Sequence, residues 1–222
     1  MASDVDICNL ALAHLGDNAT VASIDPPEGS AQAELCARCY PVARDMLLEM
    51  HAWGFATRRA QLALIGSAWP QWQYAYQAPS DMMNALAILD PQALADYSVN
   101  IPSPYSLSGT VNTGVSLYTP QEYTIESDAN GTPIIYTNQE NAVLRYTAYA
   151  TDTTTFSPLF VMALSWQLAS LLAGPILKGD VGAAEAKRCT ALALSYLTKA
   201  TASDANQRRL TVQQSTPWMV NR

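Results

Sequence analysis

The residues best suited to chemistry are few, and their spacing limits what they can do. Cys36 and Cys39 make one Cys-x-x-Cys pair among four cysteines. A redox pair of this kind works at a helix N-terminus that follows a strand, where the dipole lowers one thiol pKa. Here the pair falls inside a helical pattern, which favours reading both residues as small buried apolar groups. A zinc site needs four ligands. Cys8, Cys36, Cys39 and either His51 or His14 supply that number, but no second close-spaced pair exists. A metallopeptidase helix needs two histidines on one face with a glutamate between them, and that arrangement is absent. Asp45 and Glu49 stand four apart on one helical face, whereas glycosidase carboxylates face each other across a cleft, so a solvated helix surface is expected. Asp180 and Glu185 read as helix-start residues. No Gly-rich phosphate loop, nucleophile elbow or dinucleotide fingerprint occurs. The expectation is a protein with no catalytic, cofactor-binding or metal-binding residues; the alternative is a small enzyme or binding module with a Cys-centred or metal site.

Two other clusters point to contacts rather than reactions. Trp53-x-Phe55-x-x-Arg58-Arg59 places large aromatics at a helix end, beside two cations and ahead of a strand. Arginine stacks on indole or pairs with a carboxylate. Two readings stay open for this cluster, an internal clamp at the edge of the core and a contact between subunits. From about Thr201 the chain turns polar, carries Arg208 and Arg209, and ends in Pro217-Trp218-Met-Val. An apolar anchor beyond a polar stretch is more easily explained by docking than by independent folding, and tryptophan is a common interface hot spot. Trp53, Arg58, Arg59, Arg208, Arg209 and Trp218 are therefore the interface candidates.

The elements that must position these residues read as helices at both ends with β structure between. Asp4 is placed as the cap of a first helix over 5–15, closed at Gly16 by a left-handed residue. Ser30 opens a second helix to about Met50, which Pro41 should kink or divide. Alternation marks strands near 58–65 and 71–76. Pro79-Ser80-Asp81 suggests the cap of a short helix over 81–86. A Pro/Ser/Asn/Gly-rich excursion follows over 90–120. Tyr123–Ile125 and Ile134–Tyr136 flank Asp128-Ala-Asn-Gly131 as a hairpin, and a strand follows from Val143. Ser157-Pro158 starts a third helix with a broad apolar face down to Gly174-Pro175. Asp180 starts a fourth, on which Ala184, Lys187, Ala191, Leu194 and Thr198 share one face, with Leu192 and Tyr196 on the adjacent one.

The fold class is therefore α+β: a helical bundle from N- and C-terminal helices, a small β-rich domain inserted between them, and an extended C-terminal arm. The divisions fall at 1–57, 58–150, 151–200 and 201–222.

Composition narrows the function classes. Apolar residues make up 49% of the 222-residue chain, which excludes a wholly disordered protein. Charged residues are only 14%, well below the roughly 25% of ordinary soluble domains, so Ser, Thr, Asn, Gln and Tyr are expected to do much of the wetting and partners to bury some of the surface. The run 159–164 is too short to span a bilayer, and 158–176 is interrupted by Ser, Gln and Gly-Pro, so no membrane partner is expected. The first residues lack a basic region followed by an apolar core, so no secretory signal is expected. Residues 60–144 hold 7 acidic side chains and no Lys or Arg, while 145–222 hold 4 acidic and 8 basic ones. Segments of opposite sign can attract each other between copies or neutralise within one chain. No dense basic stripe exists for gripping duplex DNA.

Several segments, in order, resemble one family. They are Cys8-Asn-Leu-Ala-Leu-Ala-His-Leu-Gly16, Ala37-Arg-Cys-Tyr-Pro-Val-Ala-Arg-Asp-Met-Leu-Leu48 and His51-Ala-Trp-Gly-Phe-Ala-Thr-Arg-Arg-Ala-Gln-Leu62. Trp72-Gln-Tyr-Ala-Tyr-Gln-Ala-Pro-Ser-Asp81, Ala142-Val-Leu-Arg-Tyr146 and Phe156-Ser-Pro-Leu-Phe160 through to Leu172-Ala-Gly-Pro175 complete the series. Together they are similar to the head-to-tail adaptor of short-tailed, podovirus-type bacteriophages, also called tail tubular protein A. The segment 90–120 departs from that pattern. The resemblance implies a virion protein that forms a homo-oligomeric ring, usually of twelve copies, at the portal vertex. It would join the portal protein to the tail nozzle protein and surround the channel through which genomic DNA is ejected. It also implies assembly in the host cytoplasm, a C-terminal arm reaching toward the portal, and no catalytic residues. An acidic wall from 60–144 would repel phosphates and let a duplex slide.

Overall fold

The computed structural model describes residues 2–65, 69–89, 91 and 121–207. The chain is α+β, with helices at its N- and C-terminal ends flanking inserted antiparallel β structure. It divides into two compact units. Met1–Thr57 and Thr147–Gln207 form unit 1, and Arg58–Tyr146 falls in unit 2.

Unit 1 contains four helices, and local signals set most of their ends. Helix α1 spans Asp4–His14. Its cap is Ser3, not Asp4: the Ser3 hydroxyl accepts the Asp6 N–H at 3.1 Å, and the Ser3 N–H donates to the Asp6 carboxylate at 2.9 Å. This reciprocal pair satisfies two donors that a helix start leaves over. Gly16 follows at φ +75, where its N–H reaches the Ala13 carbonyl. Helix α2 spans Ala31–Glu49 and is capped by the Ser30 hydroxyl. Pro41 does not divide it; the proline lies on the exposed side, and removes only its own N–H donor.

Helix α3 spans Pro158–Leu177, with the Ser157 hydroxyl accepting the Phe160 N–H. It runs past Gly174-Pro175 rather than stopping there. By length and mean hydropathy (1.7) it is apolar enough to cross a membrane. Here it packs against α1, α2 and helix α4, which spans Gly179–Ala205. Phe160, Leu164, Leu168 and Leu172 of α3, Ile7 and Leu12 of α1, and Leu47 and Leu48 of α2 are all buried. Each such side chain contributes about 1.5–3 kcal/mol through burial.

Helix α4 departs from the sequence reading at its two ends. No side chain caps its start: Lys178 at φ +53 is the cap residue and Gly179 at φ +58 the first of the helix, so Asp180 lies in the first turn. Its buried stripe is Gly182, Cys189, Ala193, Ala200 and Asp204. Ala184, Lys187, Ala191, Leu194 and Thr198 share one face, as their spacing predicts, and it is the exposed one. The small buried residues let α4 lie close on α3: a Cβ at Gly182 would stand 2.9 Å from the Ala173 carbonyl oxygen. The helix also continues to Ala205, beyond the boundary expected at 200. The rest of the expected arm, 208–222, lies outside the described residues.

Unit 2 is built on antiparallel strand pairs. The strands are β1 (Thr57–Gln61), β2 (Ala63–Leu64), β3 (Tyr74–Gln77), β4 (Met82–Leu89), β5 (Tyr123–Ser127), β6 (Pro133–Thr137) and β7 (Val143–Ala148). One sheet has the order β1-β7-β4 and the other β2-β3-β6-β5. Pairing of Ile125 with Ile135 fixes the β5–β6 register. Between them the Asp128 carboxylate accepts the N–H groups of Asn130 and Thr132, and Gly131 supplies φ +79. The short helix expected over 81–86 is instead strand β4, entered by a turn in which the Met82 N–H donates to the Pro79 carbonyl. Apart from Pro91, the excursion expected at 90–120 lies outside the described residues. The first residue of β1 and the last two of β7 belong to unit 1, where the Ala148 N–H donates to the Ala56 carbonyl at 2.8 Å.

Candidate functional site

The cysteines sit where packing, not reactivity, governs them. Cys8 and Cys36 are fully buried on α1 and α2, and the cysteines with described surroundings are free thiols. The adjacent Cys36 sulfur, then burial, push the Cys8 thiol far up. Burial also raises Cys39 and Cys189. Cys36 and Cys39 lie inside α2, away from its N-terminus. Among the described residues, no group of three His, Cys, Asp or Glu side chains stands close enough to hold a metal ion.

Each histidine instead has a partner from the far end of the sequence. His14 Nε2 lies 3.1 Å from the Ser165 hydroxyl, and its ring stacks on Trp166 at 3.6 Å and 6°. The Arg188 guanidinium stands over the same indole at 5.3 Å and is held by Glu185, whose carboxylate it holds below the usual range. Burial, then the Arg188 charge, keep the His14 pKa below its ordinary 6.5. The unfolded chain therefore takes up this proton first. Stability contributed by neutral His14 is complete above about pH 6.5 and is lost as pH falls through the lowered folded value. Denaturant midpoints measured from pH 8 to pH 5 should fall on the acid side, and His14→Gln should flatten that slope. An unchanged slope in the variant would show that other groups carry the acid sensitivity.

His51 Nε2 lies 3.1 Å from one oxygen of the buried Asp204 carboxylate, and the Gly54 N–H donates to the other at 2.9 Å. Asp204 is in the last turn of α4, where a carboxylate faces the negative end of the helix dipole. Its two donors offset that disadvantage. A Cβ on Gly54 would approach the carboxylate oxygen to 3.1 Å, so the residue is small for contact reasons. Nothing in the sequence joins His51 or Gly54 to a residue some 150 positions later, and this clamp was not foreseen.

The aromatic–arginine cluster is split by the fold. Trp53 is 1% exposed in unit 1, its indole N–H donates to the Leu47 carbonyl at 2.8 Å, and its ring meets His51, Phe55 and Phe160. Burial leaves the indole almost no surface in this chain, in keeping with the internal-clamp reading of Trp53. Arg58 is in unit 2 and donates to Asp81 at 2.6 Å, while the Tyr146 hydroxyl donates to the other Asp81 oxygen at 2.9 Å. Arg59 is exposed on β1. Arg208, Arg209 and Trp218 lie outside the described residues. Asp45 pairs with its neighbour Arg44 at 2.8 Å.

Exposed apolar side chains mark a different surface. On α2 and its C-cap, Val42, Met46 and Met50 are 53%, 38% and 54% exposed; on α4, Val181 and Leu194 are 69% and 52% exposed. Both helices pack on α3 with their opposite sides. Large apolar groups recurring along two separate helical faces suit association with protein surfaces more than a small ligand.

No family model matches the chain, and no curated protein matches it at a significant level.

Proposed function

We propose that this chain is a ring-forming structural protein that joins a phage portal to its tail nozzle and surrounds the DNA exit channel. The observation that carries the reading is the ordered series of adaptor-like segments in the sequence. They fall on α1, α2, the 51–56 loop, β1, β3, β7 and α3, and thus on both units. The α+β arrangement with terminal helices around a β insertion is compatible with it. So are the charged content of only 14% and the apolar helical faces, which suit a surface largely covered by neighbours. The acidic bias of 60–144 would give a channel wall that repels phosphate instead of gripping it. In this role the protein is not an enzyme, and its partners are further copies of itself, the portal and the nozzle. It acts in the virion after assembly in the host cytoplasm.

Mass measurement of the purified protein, alone and mixed with the portal of the same virus, tests this. A closed oligomer of fixed copy number should form in at least one arm. Protein that stays monomeric and unbound in both arms would defeat the reading.

A further inference from the structure

We infer that neighbouring copies associate head to tail, the outer face of α2 on one copy seating against the outer face of α4 on the next. This inference rests on the ring-forming reading and specifies its contact. The two faces belong to one unit, and each helix packs on α3 with its opposite side, leaving the outer side exposed among the described residues. A ring requires two different complementary patches per subunit, since a patch that recognised itself would close a dimer.

The two faces are complementary in apolar shape. Val42 and Met46 form a ridge on the middle of the α2 face, with Met50 at its end. Methionine adapts its shape to a partner. On α4, Val181 and Leu194 flank the exposed Ala184 and Ala191, which leave room for that ridge. With 19 residues in α2 and 27 in α4, the first helix is about 28 Å long and fits within the second at about 40 Å.

Charge agrees with the same pairing. The outer side of α2 carries Glu34, Asp45 and Glu49; the cations of the same helix, Arg38 and Arg44, lie 3.5 Å from Glu34 and 2.8 Å from Asp45. The outer side of α4 carries Lys187 and Lys199 together with Arg188, and only Arg188 is bound to a carboxylate of its own helix, Glu185. Asp204 is buried, so Asp180 in the first turn is the remaining acid there. With its three acids set against Arg38 and Arg44, α2 has one more acid than cation, and with Lys187, Arg188 and Lys199 set against Asp180 and Glu185, the outer side of α4 has one more cation than acid. Such a pairing steers unlike faces together and disfavours like ones.

Disulfide trapping tests the arrangement, with Val42→Cys and Ala191→Cys made separately in a Cys39→Ser background. Mixing the two variants, with portal present if the ring needs it, should give a covalent dimer under mild oxidation. Neither variant alone should cross-link, and a chain carrying both should give a ladder of covalent oligomers. Cross-linking of either single variant with itself would overturn the head-to-tail pairing. A ring of normal mass without a mixed cross-link would overturn this contact and leave the ring-forming reading intact. Failure to form any oligomer, with or without portal, would remove both.

Discussion

Trp53→Ala is expected to lower the stability of unit 1 by about 3–5 kcal/mol, the range for emptying a buried aromatic site. The indole is enclosed by His51, Phe55 and Phe160, at ring-centre distances of 4.8, 5.7 and 4.9 Å. Truncation therefore removes two edge-on contacts and one stacked contact, together with the buried area of the largest side chain in the core. It also leaves the Leu47 carbonyl, near the end of α2, without the indole N–H. Trp53→Phe separates these terms. It keeps an aromatic ring and loses the hydrogen bond, so it should cost less, about 1–3 kcal/mol. Urea midpoints of the isolated protein measure both. A Trp53→Ala variant that unfolds like the parent but fails to assemble would return the tryptophan to an intersubunit contact.

Asp204→Ala should be the next most damaging change, at about 2–3 kcal/mol, because it strips partners from the Gly54 N–H and from His51 Nε2 together. Removal of an acid from a helix C-terminus ordinarily helps, so a loss would show that the carboxylate acts through its donors and not through the dipole. Asp204→Asn keeps an oxygen for the Gly54 N–H and should recover about half of the loss. Gly54→Ala should destabilise less, by pressing on a side chain that can shift by a few tenths of an ångström. The comparison needs only thermal unfolding of the three variants beside the parent. Equal melting of Asp204→Ala and the parent would mean that the clamp adds nothing to stability.

These two sites mark the limit of what local sequence conveys. Ser30 and Ser157-Pro158 announced their helices because a cap is a relation between residues three positions apart. The turn at Asp128 and Gly131 was legible for the same reason. Strand β4 was misread because Met82, Met83, Ala85, Leu86 and Ala87 favour helix, and pairing in the β1-β7-β4 sheet overrides that preference. Which face of α4 is buried was not legible because alanine occupies both its sides, so apolar periodicity carries little contrast. Gly182 and Cys189 reveal the buried side only once the closeness of α3 is known. His14 with Trp166, and His51 with Asp204, are long-range pairs that no spacing rule links.

The division of unit 1 into Met1–Thr57 and Thr147–Gln207 bears on synthesis. Helices α1 and α2 leave the ribosome with Leu12, Leu47 and Leu48 needing α3, which is translated only after the whole of Arg58–Tyr146. At roughly 5–20 residues per second, that interval is on the order of ten seconds. The Arg58–Tyr146 part of unit 2 is translated while the first two helices still wait. During that interval their apolar faces are open to chaperones and to other nascent chains. Slowing translation through the inserted segment should lengthen this exposure and lower soluble yield, even though the finished molecule would be the same.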